Sequence, residues 1–231
     1  MTSPESPGQL VSEEIIVDQF PLPLNESGSL KLVDNINKNS SFVDVECISH
    51  CNSGIQIEFQ NKLYVNGSIE KYGVELYSLD KNGYLKLEAD INSGPSSSSP
   101  SELAVFDNKL FFRATNGTNG SELWVYDGTN PPTMLADINS GASGSSPSEL
   151  TVFDNKLFFN ATNGTNGSEL WVYDGTNLPT MVADINSGAS GSFPSELTVF
   201  DNKLFFNATN GTDGNELWVY DGTNLPTMVA D

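Results

Sequence analysis

The chain has 231 residues, with ten Lys and Arg against thirty Asp and Glu and a formal charge of −20. That field repels a duplex or an anionic bilayer, so nucleic acid and membrane surfaces are poor partners, while calcium, other cations and basic partners are better ones; the plainer reading is that the acidity only keeps an Asn- and Gly-rich surface soluble. No stretch reaches the roughly 18 to 20 apolar residues of a spanning helix, and two cysteines cannot staple a chain of this size, which must hold itself together by packing.

Residues 1–28 read as a mobile lead-in, rich in Pro, Ser and Glu up to about Glu14 and followed by one short strand, Ile15-Ile16-Val17. The first residues have neither the basic region nor the apolar core of a secretory signal, so export by an N-terminal signal is not supported. Residues 29–37 are similar to 84–92 and read as the last strand of a unit whose earlier strands are missing or degenerate. An insertion then carries Cys47, His50 and Cys51. These are three potential zinc ligands without a fourth, so two free thiols or a strained local disulfide is the better reading.

From there the chain repeats. The phrase Glu122-Leu123-Trp124-Val125-Tyr126-Asp127-Gly128-Thr129 returns at 169–176 and 216–223, and a worn form, Glu75-Leu76-Tyr77-Ser78-Leu79-Asp80, precedes it. Tyr77, Trp124, Trp171 and Trp218 are spaced by 47 positions throughout, giving units of about 44–90, 91–137, 138–184 and 185–231 within a repeat domain spanning 29–231. Units of such an array bury their apolar faces only against their neighbours.

The third unit shows the plan. Residues 149–153 read as a strand, Asp154-Asn155 as a two-residue hairpin turn that tolerates positive φ, and 156–162 as the returning strand. A turn at 163–167, a third strand at 169–173, a turn at 174–177, a fourth strand at 179–185 and a Gly- and Ser-rich crossing at 186–192 complete it. No window carries a helical period. Leu170 and Val172 point to one face of their strand and Trp171 and Tyr173 to the other, so each sheet is apolar on both sides and must lie between two others. Four-stranded units stacked in this way describe an all-β chain with the fold of a β-propeller. Either four blades close a small ring, or the N-terminal strands add a partial fifth.

These phrases, with the flanking Leu157-Phe158-Phe159-Asn160-Ala161-Thr162 and Ala183-Asp184-Ile185-Asn186-Ser187-Gly188, resemble the bacterial ELWxxDGT repeat family. The resemblance implies a propeller-like binding or structural module, without a common enzymatic activity, in a bacterial surface or secreted setting. The first unit departs from it, with Tyr77 for Trp and Asp80-Lys81-Asn82 for Asp-Gly-Thr.

Candidate chemistry is sparse. Asp90, Asn92, Asp137, Asn139, Asp184 and Asn186 place paired oxygen donors ahead of a glycine, as calcium loops begin, but no later carboxylate completes such a loop and ordinary turn capping explains them. Asn119, Asn166 and Asp213, in the turns after the second strands, are candidate ligand contacts. The Trp rings invite a sugar-stacking reading, yet a place inside a strand favours inter-blade core. The Asn-x-Ser/Thr triplets read as Asn-Gly turns followed by a hydroxyl residue. With one His and near-identical repeats, nothing supplies the unlike groups a catalytic site needs.

The expected function is therefore non-enzymatic: a repeat module for binding or structural display, without cofactor, whose partner is an unidentified protein or glycan. The rival is a carbohydrate- or calcium-binding lectin-like propeller. A third reading is a fragment of a longer array, which would self-associate through exposed terminal blades.

Overall fold

The structure, a computed structural model, describes residues 56–69, 71–81 and 85–229. The lead-in, the 29–37 strand and the Cys47, His50 and Cys51 insertion lie outside them. Among the described residues there is no helix. Sixteen strands follow one another: β1 Gln56–Phe59, β2 Lys62–Ile69, β3 Gly73–Leu79 and β4 Leu85–Ala89 form the first sheet, and β5 Ser101–Phe106, β6 Lys109–Thr115, β7 Ser121–Tyr126 and β8 Thr133–Ala136 the second. The third holds β9 Ser148–Phe153, β10 Lys156–Thr162, β11 Ser168–Tyr173 and β12 Thr180–Ala183, and the fourth β13 Ser195–Phe200, β14 Lys203–Thr209, β15 Asn215–Tyr220 and β16 Thr227–Met228. Each sheet is an antiparallel meander in sequence order, and β1, β5, β9 and β13 lie side by side as inner strands. These are the four blades of a propeller.

The strands fall where the 47-residue pattern puts them because turn chemistry fixes their ends. Asp154 and Asn155 adopt φ of 47° and 52°, the left-handed pair that a tight hairpin needs and that Asp and Asn tolerate. The fourth strand is shorter than expected, Thr180–Ala183 rather than 179–185. Pro179 has no N–H to give the ladder, and Asp184 and Ile185 turn into the crossing loop.

Each blade has two apolar faces, and the cores lie between blades. On its forward face blade two offers Ala104, Phe106, Phe111 and Leu123. On its backward face blade three answers with Leu157, Phe159, Ala161, Trp171 and Tyr173. The same sets join blades one and two and blades three and four. The expectation that every sheet lies between two others fails at blade four. Phe153 is 3% exposed, while its counterpart Phe200 is 70% exposed, because among the described residues no blade covers that forward face.

The Trp rings belong to these cores. Trp124, Trp171 and Trp218 are each 8% exposed, and Trp124 and Trp218 donate Nε1–H to the carbonyls of Ala114 and Ala208 at 3.0 and 2.9 Å. A ring so placed packs one blade on the last and offers no face to a sugar.

Candidate functional site

In the first three repeats the glutamate that opens the phrase is the hub of the blade junction. Glu122 Oε1 accepts from the Ser145 N–H at 2.7 Å and the Asn139 N–H at 3.3 Å, and Oε2 accepts from the Ile138 N–H at 3.1 Å and the Ser145 hydroxyl at 2.5 Å. Glu75 does the same with Ile91, Asn92 and Ser98, and Glu169 with Ile185 and Ser192. All three carboxylates are fully buried, and burial outweighs these bonds and pushes their pKa above the ordinary 4.5. The serine passes the link on: the Thr162 N–H donates to the Ser145 carbonyl, so one carboxylate ties its own blade to the crossing loop and, through it, to the next blade.

The strand directions divide the turns between two ends of the stack. One end carries the 116–120, 163–167 and 210–214 turns and the crossings. There the structure joins two sets of residues that the sequence presented as separate sites. Asn119 donates its amide to Asp137 Oδ2 at 2.9 Å, and Asn166 to Asp184 Oδ2 at 3.0 Å. Asn139 and Asn186 donate their amides to the Gly144 and Gly191 carbonyls, and Asn92 to that of Ser97, each closing its own loop. Asp90 caps the Gly94 N–H, and Asp213 accepts from Asn210 at the exposed tip of the last such turn.

Asp137 Oδ1 and Asp184 Oδ1 are buried and have no hydrogen-bond partner. Among the described residues at this end, they are the feature that suits a cation. The donors nearby fall short of calcium's needs, since each loop supplies a single carboxylate where calcium takes six to eight oxygens including several carboxylates. Among the described residues no group of three His, Cys, Asp or Glu is arranged to hold a metal.

The opposite end carries the hairpin turns and the Asp-Gly-Thr-Asn turns, and six aspartates, Asp107, Asp127, Asp154, Asp174, Asp201 and Asp221, stand exposed along it. In the three Asp-Gly-Thr-Asn turns the carboxylate takes the N–H groups two and three residues on and the Asn amide. Asp174 Oδ1 accepts from Thr176 at 2.8 Å and Asn177 at 2.7 Å, and Oδ2 from the Asn177 amide at 2.7 Å. Asp127 and Asp221 repeat the pattern. The bonds favour the ionised form, holding Asp174 down to about 2 and lowering Asp127 and Asp221 likewise. In blades three and four each turn is followed by an exposed leucine, Leu178 or Leu225.

One polar cluster does not repeat, and the sequence reading passed over it. Between blades one and two the buried Glu88 carboxylate accepts from the Ser78 hydroxyl at 2.5 Å, the Tyr126 hydroxyl at 2.7 Å and Lys86 at 3.0 Å, with Lys62 3.7 Å away. Tyr64 packs on Tyr126 at 5.9 Å between ring centroids. The signal was present as departures from the repeat: Glu88, Ser78 and Tyr64 stand where later units have Leu135, Val125 and Phe111. Burial opposes ionisation of Glu88, but its donors outweigh it and lower its pKa. Burial and the neighbouring carboxylate push Tyr64 up to about 12 and raise Tyr126 too. A carboxylate and phenols driven apart in this way are set to hold their protons fixed at neutral pH, which suits a clasp between blades better than proton transfer.

No protein-family model and no curated protein matches the chain. Among solved structures it is similar to the β-propeller domain of the Trilobed protease from Pyrococcus furiosus, described as having an open velcro topology, at 14% identity and a TM-score of 0.52 over 76% of this chain and 54% of that one. The chain thus spans about half the length of that propeller. It also matches the Bacteroides ovatus xyloglucan PUL GH43B, at 16% identity and a TM-score of 0.40 over 77% of this chain and 40% of that one. A third match is the endo-arabinase of Bacteroides thetaiotaomicron, at 15% identity and a TM-score of 0.35 over 77% and 80%. At 14% identity the likeness to the first of these shows the fold alone, and that fold is the β-propeller.

Proposed function

We propose that the chain is a non-enzymatic repeat module that binds a repetitive, cationic partner through the end of the stack bearing its Asp-Gly-Thr-Asn turns. One observation carries this reading. The same turn is displayed three times on successive blades, with the same internal bonds, its carboxylate held ionised and exposed to solvent. Identical weak sites on a rigid stack gain little for a single small ligand but multiply affinity for a partner that repeats, because every contact after the first is intramolecular. The formal charge of −20 speeds approach of a basic partner. Resemblance to the ELWxxDGT repeats supports a bacterial surface or secreted role in binding or display.

The test is binding of the full chain to poly-lysine, compared with the triple variant Asp127→Asn, Asp174→Asn, Asp221→Asn. Asn retains an acceptor for the two backbone N–H groups and gives up only the exposed bond to the following Asn amide, so the turn is kept while three charges go. Binding should weaken by more than the loss from any one of these changes predicts. Equal binding by both proteins sinks the proposal.

A second reading, a cation at the crossings, draws on the buried, unpartnered Asp137 Oδ1 and Asp184 Oδ1. Calcium would then raise the melting temperature over that in chelator, and an unchanged value returns these loops to turn capping.

A further inference from the structure

Blade four repeats half of a junction that the molecule makes three times. In each occupied junction the forward face supplies two stacked rings, Phe59 with Tyr64, Phe106 with Phe111 and Phe153 with Phe158, at 5.7, 5.8 and 5.7 Å between centroids. The next blade then lays a third-strand tyrosine on them: Tyr126, Tyr173 and Tyr220, at 5.9, 5.6 and 5.6 Å from the second ring. On blade four Phe200 and Phe205 make the same pair at 6.3 Å, and among the described residues no tyrosine meets it. Leu170 is wholly buried where its counterpart Leu217 is 43% exposed. Glu216 is only half-buried and, among the described residues, has none of the loop donors that its three counterparts hold.

We infer that the forward face of β13–β16 is a docking surface for a further blade of this same repeat type. Continuity with the existing junctions fixes what the occupant must bring. Its second strand presents residues like Leu157, Phe159 and Ala161, its third a Trp and a Tyr like Trp171 and Tyr173. Its leading loop carries the backbone N–H groups and serine hydroxyl that Glu216 would accept, as Ile138, Asn139 and Ser145 serve Glu122. A second copy of this chain does not fit. The face it would have to offer is the backward one of blade one, where Val65 and Tyr77 are each 1% exposed, and its other backward faces are already seated.

The probe is a synthetic, fluorescein-labelled peptide with the sequence of residues 137–183, which holds the loop donors and the whole of blade three. A lone blade has no partner for its faces, so docking should order it and produce a gain in strand signal on mixing. One-to-one saturation is expected. Affinity should fall at least about tenfold when the peptide carries Tyr173→Ala, or the chain Phe200→Asp, as for loss of a buried aromatic anchor. Phe200 is exposed, so the latter variant should melt like the parent.

Four results would overturn the inference. They are no saturation up to about 1 mM peptide, binding that ignores Phe200→Asp, a Phe200→Cys thiol shielded from a thiol reagent in the full chain, which would mean that the chain covers the face itself, and self-association of the full chain that Phe200→Asp abolishes, which would make a second copy the occupant.

Discussion

Phe153 and Phe200 occupy the same place in consecutive repeats, end the same strand and differ chiefly in what covers them, so truncating each to alanine isolates the blade junction. Phe153 is 3% exposed, with its ring 5.7 Å from Phe158 and 6.5 Å from Tyr220. A buried Phe removes roughly 200 Å² from water; at about 25 cal/mol per Å², with alanine retaining part of that area and the cavity only partly collapsing, Phe153→Ala should cost about 3 to 5 kcal/mol. Phe200 is 70% exposed, so less than a third of that area is at stake and Phe200→Ala should cost at most about 1 kcal/mol. Urea unfolding followed by tryptophan fluorescence measures both, since Trp171 and Trp218 each lie in a junction bordering blade three. The junctions are nearest-neighbour terms, so the Phe153 change should also weaken blade four's attachment and broaden the transition. Equal losses from the two variants would refute the reasoning, because they would mean that Phe200 is as well covered as Phe153.

The junction glutamates give further expectations. Glu122→Gln keeps the shape but turns an amide donor toward the Ser145 and Ile138 donors, and should cost about 2 to 3 kcal/mol in denaturant unfolding, a loss that a purely steric role would not produce. Acidity should show two opposed effects. Glu75, Glu122 and Glu169 bind protons more tightly folded than unfolded, so their contribution is fully present below the ordinary value of 4.5 and is lost as pH rises through their raised values. Asp127, Asp174 and Asp221 act the other way, contributing above 3.8 and losing it as pH falls through their depressed values. The melting temperature should therefore peak at about pH 4 to 5, where the net negative charge is also smaller, and a steady rise from pH 5 to 8 would contradict this. Gly191→Ala should cost about 1 to 3 kcal/mol and lower the melting temperature, since φ is +73° there and the new Cβ would lie 2.5 Å from the Ser168 nitrogen.

Much of the fold was legible because the repeat states it four times. Asp154-Asn155 announced a hairpin, and the alternation of Leu170, Trp171, Val172 and Tyr173 announced a sheet with apolar neighbours on both sides. The role of Glu75, Glu122 and Glu169 as buried hubs was not legible, because their donors lie 16 to 23 residues further on in a loop whose sequence suggests only turns. Nor was the pairing of Asn119 with Asp137, which depends on two loops folding back to the same end. Glu88, Ser78 and Tyr64 were passed over for a different reason. They are departures from the repeat, and attention to sameness treats departures as wear. The uncovered face of blade four could not be read from a strand identical to Phe153's, because its exposure depends on a neighbour and not on its own residues.

The most direct test of the account is isothermal titration of the full chain with lysine oligomers of increasing length, each at low and at moderate salt. If three equivalent acidic turns act together, affinity per lysine should rise steeply once an oligomer spans two turns, rise again at three, and fall sharply with salt. An affinity that grows only in proportion to length, or that ignores salt, would show that the turns do not work as a set and would contradict the proposed function.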